Sequence, residues 1–167
     1  MIELDYKKKI TDNWFSYLQN QICKEFEFFE GGKKKFKRRD WEKKNRNEGG
    51  GTSFILSEGR VFEKVGVNKS TVSGHFSKSF KHKILGAGKS GKYWASGISV
   101  VAHMKNPKIP AIHFNTRFIV TTKEWFGGGM DATPSYNDIK ESKLIHNMLR
   151  KVCIRNKKNY KKYKNWC

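Results

Sequence analysis

The run IPAIHFNTRF, residues 109–118, carries His113, Asn115 and Arg117, and the run WFGGGMDATP, residues 125–134, adds Asp131 behind a triple glycine. An arginine fork holds a carboxylate through two parallel hydrogen bonds, and histidine exchanges protons near neutral pH. An aspartate accepts hydrogen bonds from N–H groups. Together these residues suit acid–base chemistry on a small anionic ligand that is rich in N–H groups. The sequence reads Gly127 to Gly129 as a flexible turn that delivers Asp131. Their spacing matches neither a dinucleotide fingerprint nor a phosphate-cradling loop. No GxSxG elbow or cysteine–histidine motif supplies a nucleophile.

Two strands must position this set. Between Ala95 and His103, Ile98, Val100 and Ala102 alternate with Ser99, Val101 and His103. Between Ala111 and Thr121, Ile112, Phe114, Phe118 and Val120 alternate with His113, Asn115 and Arg117. If the connector MKNPKIP sets His103 opposite Ala111, then Val101 faces His113 and Ser99 faces Asn115. That parity gathers Ser99, His103, His113, Asn115 and Arg117 on one polar face. A lone histidine is by default an ordinary sheet residue; five polar residues sharing a face weaken that default. His103, His113 and His146 could also ligate a metal, although their separation resembles no compact ligand spacing.

The remaining chain reads as scaffold. Trp14, Leu18, Ile22, Phe26 and Phe29 recur at helical spacing from Ile10 to Phe29, with Thr11, Asp12 or Asn13 as cap and Gly31-Gly32 as stop. Residues 33–47 are basic with Phe36 and Trp41 interleaved. This is a nucleic-acid pattern, or more plainly a solvated connector. Two strands joined near Glu58-Gly59 follow, then a long loop over residues 70–92 with His75 and His82 exposed. Leu144, Ile145, Met148, Leu149 and Val152 predict a helix over residues 137–153, and Tyr160, Tyr163 and Trp166 another beyond it.

At 167 residues, 37% hydrophobic and 30% charged, the chain has the composition of one folding domain. The net charge of +20 points to an anionic partner: nucleic acid, an anionic membrane surface or a polycarboxylate. Cys23, Cys153 and Cys167 suit neither a disulfide framework nor a zinc ribbon, which favours a reducing compartment. No secretory signal or membrane-spanning run is evident, so a cytoplasmic protein is expected.

At these same residues the chain resembles the oxygen-dependent coproporphyrinogen-III oxidases of haem biosynthesis. The resemblance rests on GGGTSFILSEGRVFEKVGVNKSTV (49–72), WASGISVVAHMKNPKIPAIHFNTRF (94–118), WFGGGMDATPSY (125–136) and the closing YKKYKNWC. It implies an α+β fold with a flat antiparallel β-sheet flanked by α-helices. It implies oxidative decarboxylation of coproporphyrinogen III to protoporphyrinogen IX, with O2 as co-substrate and no organic cofactor. His113 resembles the family's proton donor and Asp131 the carboxylate facing the pyrrole nitrogens. Ser99, Asn115, Thr116 and Arg117 resemble substrate contacts. His103, His113 and His146 stand where a divalent metal such as manganese has been proposed.

Met104, Ala132 and a short stretch between Arg117 and Trp125 depart from the family pattern. Length is the larger departure. Members are nearly twice as long, so residues 1–167 are expected to be a single partial domain, truncated before later substrate-binding residues and the segment that builds the homodimer. The expectations are a fragment of the oxidase, an inactive remnant, or half of a split enzyme with a companion C-terminal chain. A basic nucleic-acid-binding module is the rival from another class.

Overall fold

Glu3 and Asp5 stand in the first turn of a long helix, α1 (Ile2–Phe29), where the positive end of the macrodipole favours them. The computed structural model describes residues 2–166. Lys7 pairs with Glu3 at 3.0 Å one turn on, which supports helix where no apolar stripe exists. The helix therefore begins eight residues before the expected Ile10, and Thr11, Asp12 and Asn13 lie inside it rather than capping it. It ends as expected, with Gly31 and Gly32 at φ 72° and 73° and the Gly32 N–H returning to the Glu27 carbonyl.

Six strands follow: β1 (Lys37–Glu42), β2 (Gly49–Ser57), β3 (Phe62–His75), β4 (Lys92–Met104), β5 (Ala111–Val120) and β6 (Glu124–Thr133). They pair in chain order as one antiparallel sheet. Then come α2 (Ile139–Arg155), capped by the Asp138 side chain, and the short α3 (Tyr160–Trp166). The α+β class with a flat antiparallel sheet is as expected. Among the described residues no helix is long and apolar enough to cross a membrane.

Three readings need correction. The expected basic connector contains strand β1, because Lys37 to Glu42 pair with Gly50 to Ile55. The expected loop from Ser70 is strand as far as His75, paired along its length with β4. The supposed glycine turn is β6 itself, and the reversal falls earlier, where the Thr121 N–H meets the Lys123 carbonyl.

One sheet face and α1 make the core. Leu56, Val65, Val67, Ile98, Val100, Ala102, Phe118 and Val120 close on Phe15 and Cys23, with Leu18, Ile22 and Phe26 at the margin. Trp14 and Phe29, expected in this stripe, are 51% and 57% exposed; Phe15 and Gln19 take the inward positions. Burial, reinforced by Glu27, pushes the Cys23 thiol up to about 12, so it behaves as a core side chain.

Polar pins fix how α1 lies. Asp12 Oδ1 takes the Lys69 ammonium at 2.6 Å, the Ser96 hydroxyl at 3.1 Å and the Thr71 hydroxyl. Burial opposes the charge on Asp12, but these donors outweigh it and hold its carboxyl below the usual range. Gln19 donates to the carbonyls of Thr52 and Val67, joining the helix to β2 and β3.

At the helix end, buried Glu30 accepts the backbone N–H groups of Arg60, Val61 and Phe62, closing the β2–β3 turn. A Cβ at Gly59 would press on that carboxylate and displace it from the three N–H groups. Burial again opposes the charge, and the three N–H groups with Arg60 prevail, leaving the Glu30 carboxyl below its ordinary value.

Glu30→Gln is expected to lower the unfolding free energy by about 2 kcal/mol at pH 7, measured by urea denaturation. A depressed folded-state pKa contributes stability above the unfolded value of about 4.3, and that contribution is lost as pH falls through the folded value. The gap between wild type and variant should therefore narrow below about pH 4. A gap unchanged down to pH 2 would contradict the role given to the charge.

Candidate active site

Alternation sends every second side chain of β3 to β6 away from α1, and the pairing register sets these out as a grid. In one row Gly66, Val101, His113 and Asp131 are successive partners. The next row is Asn68, Ser99, Asn115 and Gly129, and the third is Ser70, Gly97, Arg117 and Gly127. Rows lie about 7 Å apart and strands about 5 Å apart. Val101 facing His113 and Ser99 facing Asn115 is the register expected from sequence. Ser99, His103, His113, Asn115 and Arg117 do share one face.

The middle of this face is built from small residues. Ser99 is exposed, whereas Ser96, on the opposite face of the same strand, is buried and bonded to Asp12. Gly97 has no room for a Cβ, which would strike Arg117 and the Thr116 carbonyl. At the edges stand the groups with chemistry. His113 Nδ1 lies 2.7 Å from Asp131 Oδ1, and Thr133 Oγ1 donates to the same oxygen at 3.3 Å. A carboxylate accepts, so Nδ1 carries the proton and Nε2 is the atom left to exchange one. Asp131 reaches His113 because β6 pairs with β5, with no flexible turn involved. The Arg117 side chain is exposed and has no ion-pair partner among the described residues.

Two expected site residues do not join. Thr116 pairs with Ile98 and Gly128 on the α1 side of the sheet, because consecutive strand residues face opposite ways and Asn115 and Arg117 already occupy the open face. His146 lies on α2, where its Nδ1 is 2.7 Å from the Tyr160 hydroxyl.

A family model described as Coproporphyrinogen III oxidase matches residues 10–167. The chain belongs to the coproporphyrinogen III oxidase family. The oxygen-dependent coproporphyrinogen-III oxidase of Rickettsia typhi is 50% identical over 161 residues, 92% of this chain and 57% of the relative. That of Rickettsia akari is 47% identical over 169 residues, covering 96% of this chain and 60% of the relative. The chain thus spans somewhat more than half the length of the curated relatives it matches.

Among the described residues the expected three-histidine metal set does not form. The His103 and His113 rings are 6.3 Å apart, centroid to centroid, and His146 is engaged with Tyr160. Among the described residues no three His, Cys, Asp or Glu side chains come together as a metal site.

The β3 members of the grid were not marked as site residues: Gly66 and Asn68 lay in a segment read as strand without a role, and Ser70 fell in the expected loop because polar residues past Val67 disguised the strand. The usable signal was the continuing alternation of Val65, Val67, Lys69 and Thr71 on the α1 side.

The His113–Asp131 pair is substantially exposed, with side-chain accessibilities of 38% and 66%, so it contributes only ~0–1 kcal/mol to folding and acts by orienting the ring. Asp131→Ala should accordingly shift the thermal midpoint by no more than a few degrees. It should also abolish the preference for a protonated Nδ1, read from the ¹⁵N shifts of the His113 ring. A wild-type ring whose neutral form carries its proton mainly on Nε2 would contradict the pairing.

Proposed function

We propose that this chain supplies the substrate-seating sheet of an oxygen-dependent coproporphyrinogen-III oxidase. The supporting observation is the open face of β3 to β6, on which unpaired Arg117 and the His113–Asp131 pair border a floor of small residues. A flat tetrapyrrole with carboxylate arms and central N–H groups matches it: the arginine fork takes a carboxylate, and Asp131 retains acceptor capacity for pyrrole N–H groups.

In the proposed reaction each of two arms, –CH2–CH2–COO⁻, with one O2 and one proton gives –CH=CH2, CO2 and H2O2. Coproporphyrinogen III thereby becomes protoporphyrinogen IX. O2 takes up the electrons released when the C–H and C–COO⁻ bonds break. In this reading His113 Nε2 delivers the proton, while Asp131 holds the ring by Nδ1. Ser99 and Asn115 orient the arm between them. No step is routed through a metal.

Ser99 and Arg117 are exposed to solvent, and His113 is 38% accessible. Holding a reactive arm against its proton donor needs a closed site, so a further polypeptide must cover this face during turnover. Residues 1–167 alone are expected to bind a tetracarboxylate porphyrin without detectable aerobic turnover. Activity should appear when a polypeptide corresponding to the rest of the relatives' length is added. Robust conversion of coproporphyrinogen III by residues 1–167 alone would refute this.

Binding separates this reading from a nucleic-acid module, for which the net charge of +20 and the exposed Lys37, Arg38, Arg39 and Trp41 of β1 speak. Arg117→Ala and Asp131→Ala should each weaken coproporphyrin binding about tenfold, as followed by fluorescence quenching. Tight, steeply salt-dependent DNA binding that is indifferent to both substitutions would favour the nucleic-acid reading.

A further inference from the structure

At the end of the open face, next to the row of His113, lies a recess of about 330 Å³ lined by Glu63, Lys64, Gly66, Val101 and His103. It exists because of where the strand irregularity falls. The register of β3 against β4 shifts between Phe62 and Lys64, so Phe62 turns into the core while Lys64 comes directly opposite His103 on the open face. Neither Lys64 nor His103 has an ion-pair partner among the described residues. Glu63, exposed at the bulge, puts one carboxylate on the rim.

Gly66 forms part of the wall, and the fold does not require a glycine there. A Cβ at Gly66 would meet nothing nearer than Asn68 Nδ2 at 3.7 Å, and its φ is not positive. Glycine inside a strand weakens it, and one without a packing reason marks a place where something else approaches the backbone. Gly97 differs, since its neighbours exclude a side chain. The hollow over Gly66 is thus kept open at some cost to strand stability, in a recess that Lys64 and His103 also line.

We infer that this recess is a second carboxylate subsite, in which the Lys64 ammonium and the His103 ring hold an arm of the ligand remote from the arm held by Arg117. This rests on the reading of the open face as a tetrapyrrole seat. Lys64 and Arg117 lie three rows and two strands apart in the register, on the order of 20 Å between backbones, a span that the reach of a long lysine and a long arginine side chain shortens. The two subsites grip opposite sides of one flat ligand. Arms of the wrong length or missing charge then lose one grip, which makes the recess a determinant of specificity as well as of affinity.

The test is titration of coproporphyrin, the air-stable tetracarboxylate, into the chain and its variants, with far-UV circular dichroism confirming the fold. Lys64→Ala and Gly66→Val should each raise Kd about tenfold, Lys64→Arg should restore most of the affinity, and loop variant Lys89→Ala should stay within about twofold of wild type. Gly66→Val removes no charge, so its effect separates a filled hollow from a general loss of positive field. Should that variant fold poorly, Gly66→Ala, whose Cβ meets only ordinary contact, is expected to bind about threefold more weakly. Wild-type affinity in Lys64→Ala and in whichever Gly66 variant folds, alongside weakened Arg117→Ala, would overturn the recess and leave the face intact. Unchanged affinity in Arg117→Ala as well, or no binding by wild type, would overturn both.

Discussion

The pairing register of β4, β5 and β6 is the constraint on which the rest depends. Side chains alternate strictly, so a one-residue slip of β5 would carry His113, Asn115 and Arg117 against α1 and expose Phe118 and Val120. Burying those apolar side chains resists the slip, each being worth roughly 1.5–3 kcal/mol when fully removed from water. The chemical face is thus specified by the residues that are absent from it. Ile98, Val100 and Ala102 decide where Ser99, Val101 and His103 must look.

α1 converts that preference into a fixed arrangement. An apolar stripe alone would let a helix slide along a sheet, and the contacts of Asp12, Gln19 and Glu30 limit that freedom. Each joins a polar atom of the helix to one strand or turn, and each would leave an unsatisfied group if displaced. The helix lies wholly on the far side of the sheet from His113, so core packing and chemistry are separated by one backbone layer.

Strand content and the register around His113 were legible in the sequence because β4 and β5 are half-buried and alternate cleanly. The α1 start was hidden, since its first turns are held by Glu3–Lys7 pairing rather than by apolar periodicity. Strand β1 was hidden by its charge, and the latter half of β3 by its Ser, Thr and Asn content. Gly127 to Gly129 suggested a turn on composition, yet they pair with Arg117, Thr116 and Asn115 as strand. Thr116 was named with its neighbours because a sequence motif is contiguous, whereas a sheet face takes every second residue. His146 is engaged by the Tyr160 hydroxyl on the next helix, and nothing in a single sequence reports that.

The two margins of the sheet differ in a way that bears on assembly. β1 is exposed throughout and carries Lys37, Arg38, Arg39 and Asp40, charges that discourage another strand from lying alongside. β6 has charge only toward its ends, at Glu124 and Asp131, with the uncharged Trp125 to Met130 between them. A sheet guarded on one side and bare on the other grows in one direction. Any strand that extends it, from the same polypeptide or another, adds beside the glycines, and in doing so becomes a neighbour of Asp131.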